Sequence, residues 1–187
     1  MIKILSISVM GVTTFLGSWI ITESVKAPED EMEKIYDANI KPCMNYWTTD
    51  TGFFDTVSMQ AQAMKLYYEG EYTLAIEAFQ RFEPETKGEA LYNFYLGFCY
   101  LKSDFANLAI SHFDESLQLF KKFELVQMSR WYLALAYLKV GDEENAVKVL
   151  QNLIEVNASQ RYLADNLLKQ IDGASNPIKS LLLVVAD

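Results

Sequence analysis

The sequence predicts an all-α protein: an N-terminal transmembrane or signal helix, then a solenoid of three helical hairpins with a C-terminal capping helix. Three observations predict it. Residues 4–22 carry no charge. Small residues recur at Ala63, Gly97 and Ala134, and again twelve positions after each, at Ala75, Ala109 and Ala146. Between the members of each pair stands a turn former: Gly70, Asp104 or Gly141. The units are offset by 34 and then 37 residues, a range in which one period defines a whole architecture.

The chain has 187 residues, 51% of them hydrophobic and 13% aromatic, which is enough apolar material for one packed domain plus an accessory segment. A net charge of -9 works against nucleic acid, because phosphate binding depends on clustered Lys and Arg. Two cysteines and one histidine cannot complete a four-ligand zinc site without carboxylates, and they are too few for a disulfide scaffold.

The first element is residues 1–22. A helix over residues 4–22 is about 28 Å long at 1.5 Å per residue, close to the roughly 30 Å of bilayer hydrocarbon. Lys3 precedes the apolar run, and acids crowd its far side from Glu23 to Glu33, so the charge bias favours a single pass with the C-terminal domain outside the cytosol. The alternative is export after signal cleavage at Val25-Lys26-Ala27, which Pro28 opposes by following the cut. The second element, residues 23–55, is an acidic lead and linker. In it Pro28 to Ile40 places Met32, Ile35, Tyr36 and Ile40 on one helical stripe before Lys41-Pro42 ends it.

The hairpins occupy about residues 56–89, 90–126 and 127–160, and a capping helix follows over 159–172, where Leu163, Leu167 and Ile171 share a face and Gly173 is the expected stop. Small residues late in one helix and early in the next let two backbones approach without a cavity. Gly70 and Gly141 stand where a left-handed residue is wanted. Asp104 holds the same place in the middle unit, at some cost. The three extra residues between the second and third units, in "LFKKFELVQM", are expected to lengthen the second helix of the middle unit. The chain ends in an apolar tail, residues 173–187.

These small, large and turn-forming residues in register across Thr56 to about Val156 resemble the tetratricopeptide repeat (TPR) family. Phe82, Ser116 and Leu153 depart from the alanine that the family favours late in the second helix. A single span, an acidic lead and three such repeats are similar to membrane-anchored TPR proteins of Gram-negative bacteria. The resemblance implies a place in the inner membrane with the domain in the periplasm, and no enzymatic activity. Only Met1 to Lys3 precede the span, so no cytosolic regulatory role carries over.

By that resemblance the first helices of the units line a concave face: Val57, Gln60, Met64 and Tyr67; Leu91, Phe94, Phe98 and Leu101; Met128, Trp131, Leu135 and Leu138. An exposed apolar surface of this size marks a binding site. The groove assigned from it is Met64, Tyr67, Phe94, Phe98, Leu101, Met128, Trp131 and Leu135. Its expected partner is a protein or peptide with an apolar helix or segment. Lys and Asn, which carboxylate-clamping repeat modules use here, are replaced by Gln60, Met64, Phe94 and Phe98. Two segments of the chain itself are candidates to cover the face: the lead helix at 28–40, expected to cap the first repeat, and the tail at 178–186, expected to lie against the array.

No catalytic residue, metal site, cofactor or small-molecule substrate is expected. His112 follows Ser111, but neighbouring residues on a helix point about 100° apart, so the pair cannot act together. Cys99 reads as a buried small hydrophobe. Cys43 lies in the lead, and a bond between the two is the less favoured outcome. The expected function is a non-enzymatic membrane-anchored scaffold. The alternative is an exported structural subunit of an envelope assembly whose groove is filled by its own chain.

Overall fold

The computed structural model describes residues 29–43, 59–82, 88–156 and 159–175. Within them every regular element is a helix: α1 (Glu29–Asn39), α2 (Met59–Glu69), α3 (Tyr72–Phe79), α4 (Glu89–Lys102), α5 (Ala106–Leu119), α6 (Phe123–Lys139), α7 (Glu143–Glu155) and α8 (Arg161–Ser175). Among the described residues no helix is long and apolar enough to cross a membrane. The span expected at 4–22, the tail at 178–186 and Val57 lie outside them.

Helices α2 to α7 form three hairpins, α2/α3, α4/α5 and α6/α7. Each hairpin packs on the next, and α8 closes the row on α7. The three hairpin turns have one geometry. Gly70 (φ 79°), Asp104 (φ 64°) and Gly141 (φ 73°) are all left-handed. The following amide bonds back to a carbonyl five residues earlier: Glu71 to Leu66 at 3.0 Å, Phe105 to Tyr100 at 2.9 Å and Asp142 to Tyr137 at 2.9 Å. Such a turn satisfies orphan carbonyls at a helix end and reverses the chain. Asp142 also caps α7, its side chain accepting the Asn145 amide at 3.1 Å.

Small residues act as the spacing required. A Cβ on Gly97 would stand 3.1 Å from Cε1 of Phe113 and 3.3 Å from Cβ of His112. Ala63, Ala75, Ala109, Ala134 and Ala146 are fully buried. The consequence is greatest in α4, where Leu91, every residue from Asn93 to Cys99, and Leu101 are buried.

The second helix of the middle unit is longer than that of the first, 14 residues in α5 against 8 in α3, and the next first helix is longer too, 17 residues in α6 against 14 in α4. The chain becomes extended at Phe120 (ψ 132°), which ends α5. One local expectation is corrected: Gly173 is not a stop, since α8 runs on to Ser175. Glycine inside a helix costs about 1 kcal/mol, but Ala174 packs on the core and the Ser175 hydroxyl donates to Glu143 Oε2 at 2.8 Å.

Candidate functional site

The lead segment packs on the face of the row formed by the first helices of the hairpins, meeting Tyr67 of α2, Leu101 of α4 and Met128 and Tyr132 of α6. Helix α1 packs on α6 and α8. Its stripe of Met32, Ile35, Tyr36 and Ile40 is at most 8% exposed, and so is Cys43, four residues beyond the helix. The lead was expected to cap the first repeat, and this is corrected. The outward side of α2 carries Gln62, Lys65 and Glu69, all exposed, whereas α6 offers an apolar wall that matches the stripe.

Polar contacts fix the lead where it leaves the helix. Tyr132 donates its hydroxyl to the Lys41 carbonyl at 2.7 Å. The Cys43 amide donates to the Tyr67 hydroxyl at 3.0 Å, and that hydroxyl faces the Cys43 carbonyl at 3.4 Å. Tyr67 and Tyr132 therefore hold main-chain atoms of a non-helical strap, residues 40–43, whose Ile40 and Cys43 side chains are buried while Lys41 and Pro42 are exposed. Burial pushes the Tyr67 phenol well above its ordinary pKa, so it stays a neutral donor and acceptor. In the other direction, Tyr36 donates to the Leu101 carbonyl at 3.3 Å, near the end of α4.

One cation tethers the helix. Lys139 Nζ is 3.2 Å from Glu33 Oε1 and 3.1 Å from Asp104 Oδ1, and it lies 5.0 Å from the centre of the Tyr36 ring. Burial works against its charge, but hydrogen bonds to Asp104 and Glu33 outweigh that and hold the ammonium above its usual pKa. Asn39 adds a contact to the cap, donating to Gln170 Oε1 at 3.4 Å.

All eight residues assigned to the groove are buried. Met64, Tyr67, Phe94, Phe98, Leu101 and Leu135 are at most 1% exposed, and Met128 and Trp131 are 7% exposed. Five of them have contacts of two kinds. Phe94 and Phe98 pack edge-on against Tyr132 at 5.6 and 5.2 Å, and Phe98 against Tyr67 at 5.3 Å, so they join neighbouring hairpins. Tyr67, Leu101 and Met128 meet the lead directly, Met128 through its sulfur 3.2 Å from Cys43 Sγ. The lead, one of the two segments of the chain named as candidates to cover this face, lies against it through α1 and the strap. Compared with known proteins, the chain matches no family model and no curated protein.

The sequence reading missed Tyr132, Lys139 and Asp104 as contributors. An acid at a left-handed position, where the other two units have glycine, was the one local signal. Beside the strap, a recess of about 330 Å³ is lined by Asn39, Lys41, Cys43, Trp131, Tyr132 and Leu163, among others. Met128 also borders it, and the exposed side chains of Tyr162 and Leu163 stand at the start of α8.

The remaining candidates for chemistry are structural in their surroundings. His112 pairs with Asn93 Oδ1 at 2.8 Å and stacks on Tyr100 at 5.3 Å. Burial lowers its pKa while Glu115 works the other way. Cys43 and Cys99 are both buried and form no disulfide with each other, and burial pushes the Cys43 thiol up to about 12. Among the described residues no group of three or more His, Cys, Asp or Glu side chains converges to hold a metal.

Proposed function

We propose that the chain is a non-enzymatic scaffold of the tetratricopeptide type, anchored in a membrane through residues 4–22, with its hairpins on the non-cytosolic side. Its concave face holds polypeptide, and in the isolated chain the polypeptide it holds is its own lead. One observation carries this reading: the hydroxyls of Tyr67 and Tyr132 bind main-chain atoms of residues 41 and 43. Recognition of a non-helical segment through its backbone is what a peptide groove does. Apolar burial supplies the affinity, and the net acidity biases partner choice toward neutral or basic surfaces.

The buried state of the eight groove residues favours a second reading, an exported structural subunit whose groove stays filled by its own chain. A photo-crosslinking residue at Leu163, beside the open recess, tests both in native membranes. The scaffold reading expects an adduct with another polypeptide, and the structural one expects only internal adducts to the lead. Carbonate washing and the mass of the mature N-terminus test the anchor. A soluble chain starting at Pro28 would remove it.

A further inference from the structure

We infer that residues 29–43 are an exchangeable ligand of the groove, and that the chain's partner in trans carries a segment of the same chemistry. The inference rests on the scaffold reading above and adds the partner's pattern. Three observations carry it. First, the lead is not part of the row it covers. Helices α2 to α8 are joined by consecutive packing, each to its neighbour, while α1 packs on α6 and α8 at the far end of the sequence. The row keeps its own inter-hairpin core, Phe98 against Tyr67 and Phe94 and Phe98 against Tyr132, without any lead residue.

Second, the two tyrosine hydroxyl bonds from the groove to the strap address its main chain, so these two tolerate another sequence. Third, the remaining contacts define a readable code. Counting Met32 as position i, the groove takes apolar side chains at i, i+3, i+4, i+8 and i+11, which here are Met32, Ile35, Tyr36, Ile40 and Cys43. Lys139 takes an acid at i+1, here Glu33. The partner is therefore an amphipathic helix, with one acid beside its first apolar position, that runs into a short non-helical stretch. Asp104 holds Lys139 from the other side at 3.1 Å and keeps the cation in place when the lead's acid leaves.

A tethered ligand competes at an effective concentration of about a millimolar, so the groove of the intact chain should look closed to weak binders. The test uses a fluorescent synthetic peptide of residues 29–43 and the full chain. A variant with Ile35→Asp and Tyr36→Ala weakens the lead without touching the row. Fluorescence anisotropy should show this variant binding the peptide at least ten-fold more tightly than the unaltered chain. Lys139→Glu added to the variant should weaken that binding again by about ten-fold. Equal binding by both chains, or none by a variant that keeps its helical circular dichroism, overturns the inference.

If the variant fails to fold, a chain with a protease site within residues 44–58 decides. After cutting, its lead should exchange against excess labelled peptide within hours. A cut lead that stays bound without exchange overturns the proposal, as does a variant that dimerises and ignores the peptide, since the occupant would then be a second copy. A chain that refuses exchange yet still crosslinks to a partner through Leu163 keeps the scaffold reading and loses only this inference.

Discussion

The hydroxyl of Tyr132 donates to the carbonyl of Lys41 at 2.7 Å across 91 positions of sequence. It ties the strap to the middle of α6 at a site where both groups are partly buried. Tyr132→Phe removes this bond while keeping the ring that packs against Phe94, Phe98 and Phe113. The expected loss is about 1 kcal/mol, read as a lower urea midpoint at unchanged helical content. Amide exchange should rise in residues 40–43 and stay unchanged in α4. A uniform rise along the chain would mean that the strap is not a separate unit.

Asp104 has a left-handed backbone (φ 64°) where glycine stands in the other two turns. A left-handed conformation costs an L-residue roughly 1–2 kcal/mol, and the pair with Lys139 offsets part of this. With the Asp104 side chain 80% exposed, that pair contributes at most about 1 kcal/mol. Asp104→Gly should therefore lie within about 0.5 kcal/mol of the unaltered protein, and Asp104→Ala, which keeps the strain and loses the pair, about 1 kcal/mol below it. Urea titrations of the two variants side by side give the answer, and the reverse order would refute the strain.

Two helical glycines should respond in opposite directions. Nothing lies within 4 Å of a Cβ on Gly173, so Gly173→Ala should stabilise by roughly 0.5–1 kcal/mol through helix propensity alone. A Cβ on Gly97 would stand 3.1 Å from the fully buried ring of Phe113. Gly97→Val should therefore destabilise by about 2 kcal/mol through overpacking. Thermal melts separate them, and a Gly97→Val chain as stable as the original would deny the close approach of α4 and α5.

Alkali should unfold the protein early. Burial raises the pKa of the Tyr36 and Tyr67 phenols above the ordinary 10.0, and of the Cys43 and Cys99 thiols above 9.0. Above those ordinary values the unfolded chain holds fewer protons than the folded one, so stability is complete below about pH 9 and falls as pH rises beyond it. Melting temperature should decline steadily above about pH 9. The buried tyrosines should ionise only as helical circular dichroism is lost. Tyrosinate absorbance rising near its ordinary pKa in a chain that keeps its helices would contradict their burial.

The turns and the small-residue register were legible because both are local: a left-handed residue and a missing Cβ leave their mark in a few positions of sequence. The identity of the apolar wall was legible for the same reason, since hydrophobic period depends on neighbours along one helix. Whether that wall faces solvent was not. Phe94 and Phe98 would show the same spacing in an open groove or in a core closed by a further layer, and the layer that closes it, α1, comes from a distant part of the chain. The contact of Lys139 with Glu33 spans 106 positions, and no local pattern encodes it. Gly173 misled because packing at Ser175 overrides an intrinsic preference.

The bond between Asn39 and Gln170, 131 positions apart, has a consequence for biosynthesis. A ribosome adding about 5–20 residues per second needs on the order of ten seconds between making these two ends. Through that interval Met32, Ile35, Tyr36 and Ile40 have emerged, and the surface that will shelter them is still untranslated. The nascent chain thus carries a sticky stripe until α8 has been made, which makes this stretch the natural place for a chaperone to hold it.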